Sequence, residues 1–180
     1  MQFPWNPNII VSHINSISLE DASLIENLIK EENKKKPHML EKTAEQIIFN
    51  VKHYSWIIAQ VLSEKNIIWY MWLDKTQEKF KDHDIFERWS LIVTPEYRWN
   101  MLGSFLRKYL LDMNKEKCIY SVSCIPKVIE ENKKIGEISL TQEYVYKVSK
   151  DLYDLIENEG KFYEDDVIFV NKTLYNIMHK

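Results

Sequence analysis

Residues 85–93 read as a strand that runs into Val93-Thr-Pro95-Glu-Tyr-Arg98, and Trp99-Asn100-Met101-Leu102-Gly103-Ser104 opens a segment with helical spacing. Pro95 cannot continue the strand, and a helix that begins within a few residues aims its unsatisfied N–H groups into the turn. Such a terminus is suited to holding an anion. Six residues before Val93 stands Glu87. In an extended strand it shares a face with Trp89, Leu91 and Val93, whereas Phe86, Arg88, Ser90 and Ile92 share the other. A carboxylate at the end of an apolar row is expected to be partly desolvated, which raises its pKa towards a value useful for proton transfer near neutrality. Each residue also has a plainer reading: a strand-end glutamate in solvent, a surface arginine, and a helical glycine chosen for close packing.

The elements that must position these groups follow from periodicity. Ile9–Ile14 reads as a strand, and Ser18-Leu-Glu-Asp caps a helix whose apolar residues Leu24, Ile25, Leu28 and Ile29 recur at helical spacing. The charged run from Glu31 to Pro37 is expected to break that helix, and Thr43-Ala-Glu-Gln to cap a second one reaching about Tyr54. Trp56–Leu62 and Ile67–Leu73, separated by Ser63-Glu-Lys-Asn, read as a hairpin, with a third strand from about Ile85 to Val93. Met101, Leu102, Phe105, Leu106, Tyr109 and Leu110 mark an amphipathic helix, and Cys118–Ile125 the strand after it, giving a parallel crossover. Beyond it the pattern predicts a helix over Pro126 to about Gly136, a strand over Tyr144–Val148, a helix over Asp151–Asn158 and a strand over Val167–Val170. Trp69, Tyr70 and Trp72 are expected in the core, the alternative being that some wall a cleft. The order describes one mixed α/β domain spanning residues 1–180.

Composition narrows the chemistry. A chain of 180 residues, 45% hydrophobic, can bury one substantial core. Its three glycines compare with roughly thirteen at an average usage of about 7%. Gly103, Gly136 and Gly160 are too far apart for a dinucleotide fingerprint or a P-loop. A net charge of −3 gives no footprint for nucleic acid, and no nucleic-acid partner is expected. The five histidines lack metal-ligand spacing, so no metal is expected. The start lacks the basic and apolar regions of a signal, and the longest apolar run, Ile67–Leu73, is far below a membrane span. A cytoplasmic protein that does not enter membranes is the expectation. Cys118 and Cys124 would lie on one strand face roughly 20 Å apart, too far to pair, and read as two buried thiols.

The junction residues Val93, Pro95, Glu96, Tyr97, Arg98 and Gly103 resemble the acetyl-coenzyme A motif of the Gcn5-related N-acetyltransferase family, Val-x-Pro-x-x-Arg followed by a glycine-rich turn. The first glycine of that turn falls here on Met101, and a frequent glycine after the arginine falls on Trp99. The resemblance implies a mostly antiparallel sheet splayed at a parallel strand pair and flanked by helices. It also implies acetyl-CoA as co-substrate and direct transfer of the acetyl group to a primary amine of a small molecule or protein. By resemblance, backbone groups near Leu91, Ile92 and Val93 meet the thioester and pantetheine. The turn Arg98, Trp99, Asn100, Met101, Leu102, Gly103 and Ser104 would hold the pyrophosphate, and Glu87 would be the general base.

The family's helix asparagine falls by spacing on Asn132, a cofactor contact, and its acid tyrosine on Ser139. Its Gly-Phe pair falls on Glu143-Tyr144. With the usual tyrosine replaced, Tyr144 or Tyr146 stands in as acid, or the thiolate leaves unassisted. Ser121 and Ser123 either meet the pantetheine amides or face the surface. A homodimer is compatible with this reading. The alternative is a non-catalytic module of the same fold, used for binding or structure, whose coenzyme turn has decayed.

Overall fold

Local signals in the sequence set many of the element boundaries. The hydroxyl of Thr43 accepts a hydrogen bond from the Gln46 backbone N–H (3.3 Å), and the Gln46 side chain accepts from the Thr43 N–H (2.9 Å), closing a capping box. Ser18 caps the preceding helix by accepting from the Asp21 N–H at 3.0 Å. Thr43→Ala is expected to lower stability by about 1 kcal/mol, seen as a fall in Tm; an unchanged Tm would show that the box contributes nothing.

The structure, a computed structural model, describes residues 2–4, 6–35, 41–54, 56–61, 67–93, 102–159 and 163–180. The elements in chain order are β1 (Gln2–Phe3), β2 (Asn6–Ile14), α1 (Leu19–Lys35), α2 (Ala44–His53), β3 (Trp56–Val61), β4 (Ile67–Phe80), β5 (His83–Val93) and α3 (Leu102–Met113). They continue as β6 (Cys118–Ser123), α4 (Pro126–Lys134), β7 (Ile138–Thr141), α5 (Gln142–Val148), α6 (Lys150–Glu159), β8 (Val167–Val170) and α7 (Lys172–Met178). The hydrogen-bonded strand order is β1-β2-β3-β4-β5-β6-β8-β7. β5 and β6 pair in parallel, while β1/β2, β2/β3, β3/β4, β6/β8 and β7/β8 are antiparallel. The mixed α/β class and the parallel β5-α3-β6 connection agree with the sequence pattern. Among the described residues, no helix is long and apolar enough to cross a membrane.

The chain divides into two compact units, and β4, β5 and α3 each contribute residues to both. The first comprises Met1–Asp74 and Trp89–Leu106. In it Ala22, Ile25 and Ile29 of α1 and Ala44, Ile47 and Val51 of α2 pack on Trp56, Ile58, Tyr70 and Trp72 of β3 and β4. The Trp56 and Trp72 rings stack 4.7 Å apart. Lys42 lies over the Trp72 ring and pairs with Asp74 at 3.2 Å, so its stem covers apolar surface while its ammonium stays paired.

The second unit comprises Lys75–Arg88 and Arg107–Lys180. Its core joins Phe80, Ile85, Cys118 and Tyr120 to Leu140, Ile168 and Val170 and to apolar residues of α5, α6 and α7. Asn171 caps α7, accepting from the Leu174 N–H at 3.0 Å, and its Oδ1 also accepts from the Ile119 N–H at 3.2 Å, tying that helix to β6.

Several elements differ from the sequence pattern. α1 continues past Glu31 to Lys35, its charged residues forming Glu26–Lys30 and Glu31–Lys34 pairs along the helix surface. β4 extends to Phe80, its charged stretch carrying buried Thr76, whose hydroxyl donates to carbonyls of Glu78 and Ile85. The expected strand over Tyr144–Val148 is the helix α5; the strand lies earlier, as β7. Tyr144, Tyr146 and Val148 alternate, but all three are exposed, Val145 is the buried residue, and the Thr141 hydroxyl caps the helix by accepting from the Tyr144 N–H at 3.1 Å. β1, α5 and α7 are additions to the expected order. Cys124 is exposed rather than buried, and neither cysteine is paired.

Candidate functional site

β5 and β6 meet in the register Ile85↔Cys118, Phe86↔Ile119 and Glu87↔Tyr120. Strand alternation puts Glu87 on the face of buried Ile85 and Tyr120, where it is half-buried. Arg88 points the other way and is only 5% exposed. Its Nη2 donates to Ser121 Oγ at 2.6 Å and to Glu137 Oε2 at 2.8 Å.

Glu137 is held by the end of α4. Gly136 has φ +91°, a left-handed conformation that favours glycine. The Glu137 N–H donates to the Asn132 carbonyl at 3.2 Å and the Gly136 N–H to that of Lys133 at 3.1 Å, a Schellman motif. The helix stop therefore delivers a carboxylate, 5% exposed, to the buried arginine.

A second arginine completes the cluster. Arg107 of α3, 3% exposed, donates from Nη1 to Asn132 Oδ1 at 3.3 Å and pairs with Glu131 Oε2 at 3.0 Å. Burial pulls both guanidinium groups below the usual arginine value, and for Arg107 the neighbouring Arg88 charge adds to it. Burial pushes the Glu137 carboxyl up, against the opposing pull of Arg88 and Arg107. An arginine keeps its proton in such a setting, so the cluster holds two buried cations beside Glu137 and the more accessible Glu131. Among the described residues, Arg88 Nε and Nη1, Arg107 Nε and Glu137 Oε1 have no hydrogen-bond partner.

The expected site residues fall into three groups. Arg98, Trp99, Asn100 and Met101 lie outside the described residues, as do the side chains of Leu91, Ile92 and Val93, whose backbone forms the end of β5. Leu102, Gly103 and Ser104 open α3, with Leu102 buried. In the second unit, Asn132 is 1% exposed and spent on Arg107, and the Ser121 hydroxyl accepts from Arg88. Ser123 accepts from the Ile125 N–H at 3.2 Å.

Tyr144 is 38% exposed, with its hydroxyl 3.0 Å from His179 Nε2. The Tyr175 carbonyl can only accept, so His179 Nδ1 donates to it at 2.8 Å. Hydrogen bonding with Tyr175 and burial hold the Tyr144 phenol above its ordinary value. These contacts tie Tyr144 to α7 rather than to the Arg88 cluster. Burial also pushes the Cys118 thiol up, which keeps it protonated and poorly nucleophilic.

The turn before β7 is Gly136-Glu137, whereas Glu143 and Tyr144 lie in α5. The residues missed from sequence are Arg88, Arg107 and Glu137; the available signal was an arginine on a strand face shared with Phe86, Ser90 and Ile92.

No protein-family model matches the chain, and no curated protein does. Solved structures do. N-acetylglutamate synthase from Neisseria gonorrhoeae, solved with coenzyme A and N-acetyl-glutamate, is 16% identical with a TM-score of 0.62, over 90% of this chain and 35% of that one. The chain thus spans about a third of that enzyme's length. A GNAT-family acetyltransferase from Streptococcus pneumoniae is 13% identical with a TM-score of 0.59, over 90% of this chain and 96% of that one. A GNAT-superfamily phosphinothricin acetyltransferase from Sinorhizobium meliloti, solved with acetyl-CoA, is 13% identical with a TM-score of 0.62, over 91% and 86% of the two chains. The fold is that of the Gcn5-related N-acetyltransferases.

Proposed function

We propose that this protein is an acetyl-CoA-dependent N-acetyltransferase acting on a primary amine of a small molecule or a protein, in the cytoplasm and as one functional domain over residues 1–180. The observation that carries the reading is the parallel β5/β6 pair of this fold with half-buried Glu87 at the pair Glu87↔Tyr120. It is supported by the N. gonorrhoeae and S. meliloti enzymes, which bind coenzyme A and acetyl-CoA.

In this scheme Glu87 takes a proton from the acceptor ammonium, because only the free amine attacks a thioester. The amine nitrogen bonds to the acetyl carbonyl carbon, the carbon–sulfur bond breaks, the nitrogen releases its second proton to solvent, and the thiolate takes one up to give coenzyme A and an acetamide. Backbone N–H groups of Ile92 and Val93 stabilise the oxyanion, and losing one such donor commonly costs about 3 kcal/mol. The first turn of α3, with Leu102, Gly103 and Ser104, follows Arg98–Met101 in holding the pyrophosphate through backbone N–H groups. The Tyr144 hydroxyl is bonded to His179, and solvent is the simplest proton source for the thiolate.

Acetyl-CoA at 100 times its Kd is expected to stabilise the protein by about 2.7 kcal/mol, a rise in Tm of roughly 5–10 °C for a chain of this length. No shift at millimolar acetyl-CoA would favour a non-catalytic module over the enzyme.

A further inference from the structure

We propose that Arg88 and Glu137 are positioning residues that set the geometry of β5 at Glu87; the consequence for catalysis rests on the reading of Glu87 as general base. The β5/β6 register runs through Glu87↔Tyr120. The next residues on the two strands, Arg88 and Ser121, meet through their side chains, with Nη2 2.6 Å from Oγ. The same nitrogen reaches Glu137 at 2.8 Å. One guanidinium nitrogen thus gathers β5, β6 and the turn between α4 and β7, and that turn is fixed by Gly136 and its two Schellman bonds. Arg107, Asn132 and Glu131 extend the tie to α3 and α4.

Stability alone is a poor reason for this cluster. Buried charges with Arg88 Nε and Nη1 and Glu137 Oε1 lacking partners among the described residues are costlier than an apolar filling of the same volume. What such a network supplies is a directional constraint, since a guanidinium fixes the angle at which its partners approach. The constraint acts at Arg88, the residue after Glu87, and so fixes the backbone from which the Glu87 side chain projects to the opposite face.

The test is the double variant Arg88→Met/Glu137→Leu, which removes both charges and keeps the volume. It is expected to fold with a Tm no lower than the parent, yet to lose about 10²-fold in kcat with little change in KM for acetyl-CoA, as a misplacement near 1 Å would cause. A filler of the fold would give the Tm result without the kcat loss; kcat within twofold of the parent overturns the proposal. Amide hydrogen exchange supplies a readout independent of activity. The double variant is expected to exchange at least tenfold faster at Arg88 and Ser121 while the amides of Ile168 and Val170 in the core are unchanged. Unchanged exchange at those two amides overturns the positioning role. An inactive parent protein with the exchange difference present would instead remove the acetyltransferase reading and leave the structural constraint standing.

Discussion

Arg88→Met alone is expected to destabilise the protein by about 3–5 kcal/mol, measured as a shift in the urea midpoint without a change in slope. The reason is the charge left behind. Glu137 has its side chain 1% exposed and Arg88 3%, so solvent screening offers little relief when the partner is removed. Glu137→Leu alone should cost a similar amount, because it strands buried Arg88 beside Arg107, which the Arg88 charge already disfavours. The double variant should recover the loss and end no less stable than the parent, since burial of two matched apolar side chains avoids both desolvation penalties. The two single effects therefore fail to add, and the coupling between them is the quantity that identifies the pair. Additive losses would show that Arg88 and Glu137 act separately. Losses below about 0.5 kcal/mol would place both in solvent.

Glu87→Gln is expected to lower kcat by about 10²–10⁴-fold, the usual contribution of a general base, with the Kd for acetyl-CoA within about twofold of the parent. Glutamine keeps the shape and removes the proton acceptor. A variant that keeps parental kcat would remove Glu87 from the mechanism.

The parts of this molecule legible in its sequence are those governed by neighbours along the chain. The Thr43 capping box, the β3/β4 hairpin and the opposed faces of Glu87 and Arg88 follow from spacing over two to four residues or from strand alternation. Tyr144 was misread because alternating aromatics imitate a strand, while the deciding facts were the Thr141 cap and the burial of Val145. The polar cluster was out of reach for a different reason. Arg88 meets Ser121 and Glu137 across 33 and 49 residues of sequence, and no local pattern encodes which buried carboxylate an arginine will find. Arg98 to Met101, the heart of the expected coenzyme turn, lies outside the described residues, so its role rests on the sequence resemblance.

The most direct test of acetyl transfer incubates the purified protein with acetyl-CoA and a panel of primary amines, following free thiol and, by mass spectrometry, the acetylated product. At least one amine should yield thiol and N-acetyl product in equal amounts, with both lost in Glu87→Gln. Thiol release and product no greater than in protein-free controls, across small amines and lysine-bearing peptides alike, would contradict the reading of this chain as an N-acetyltransferase.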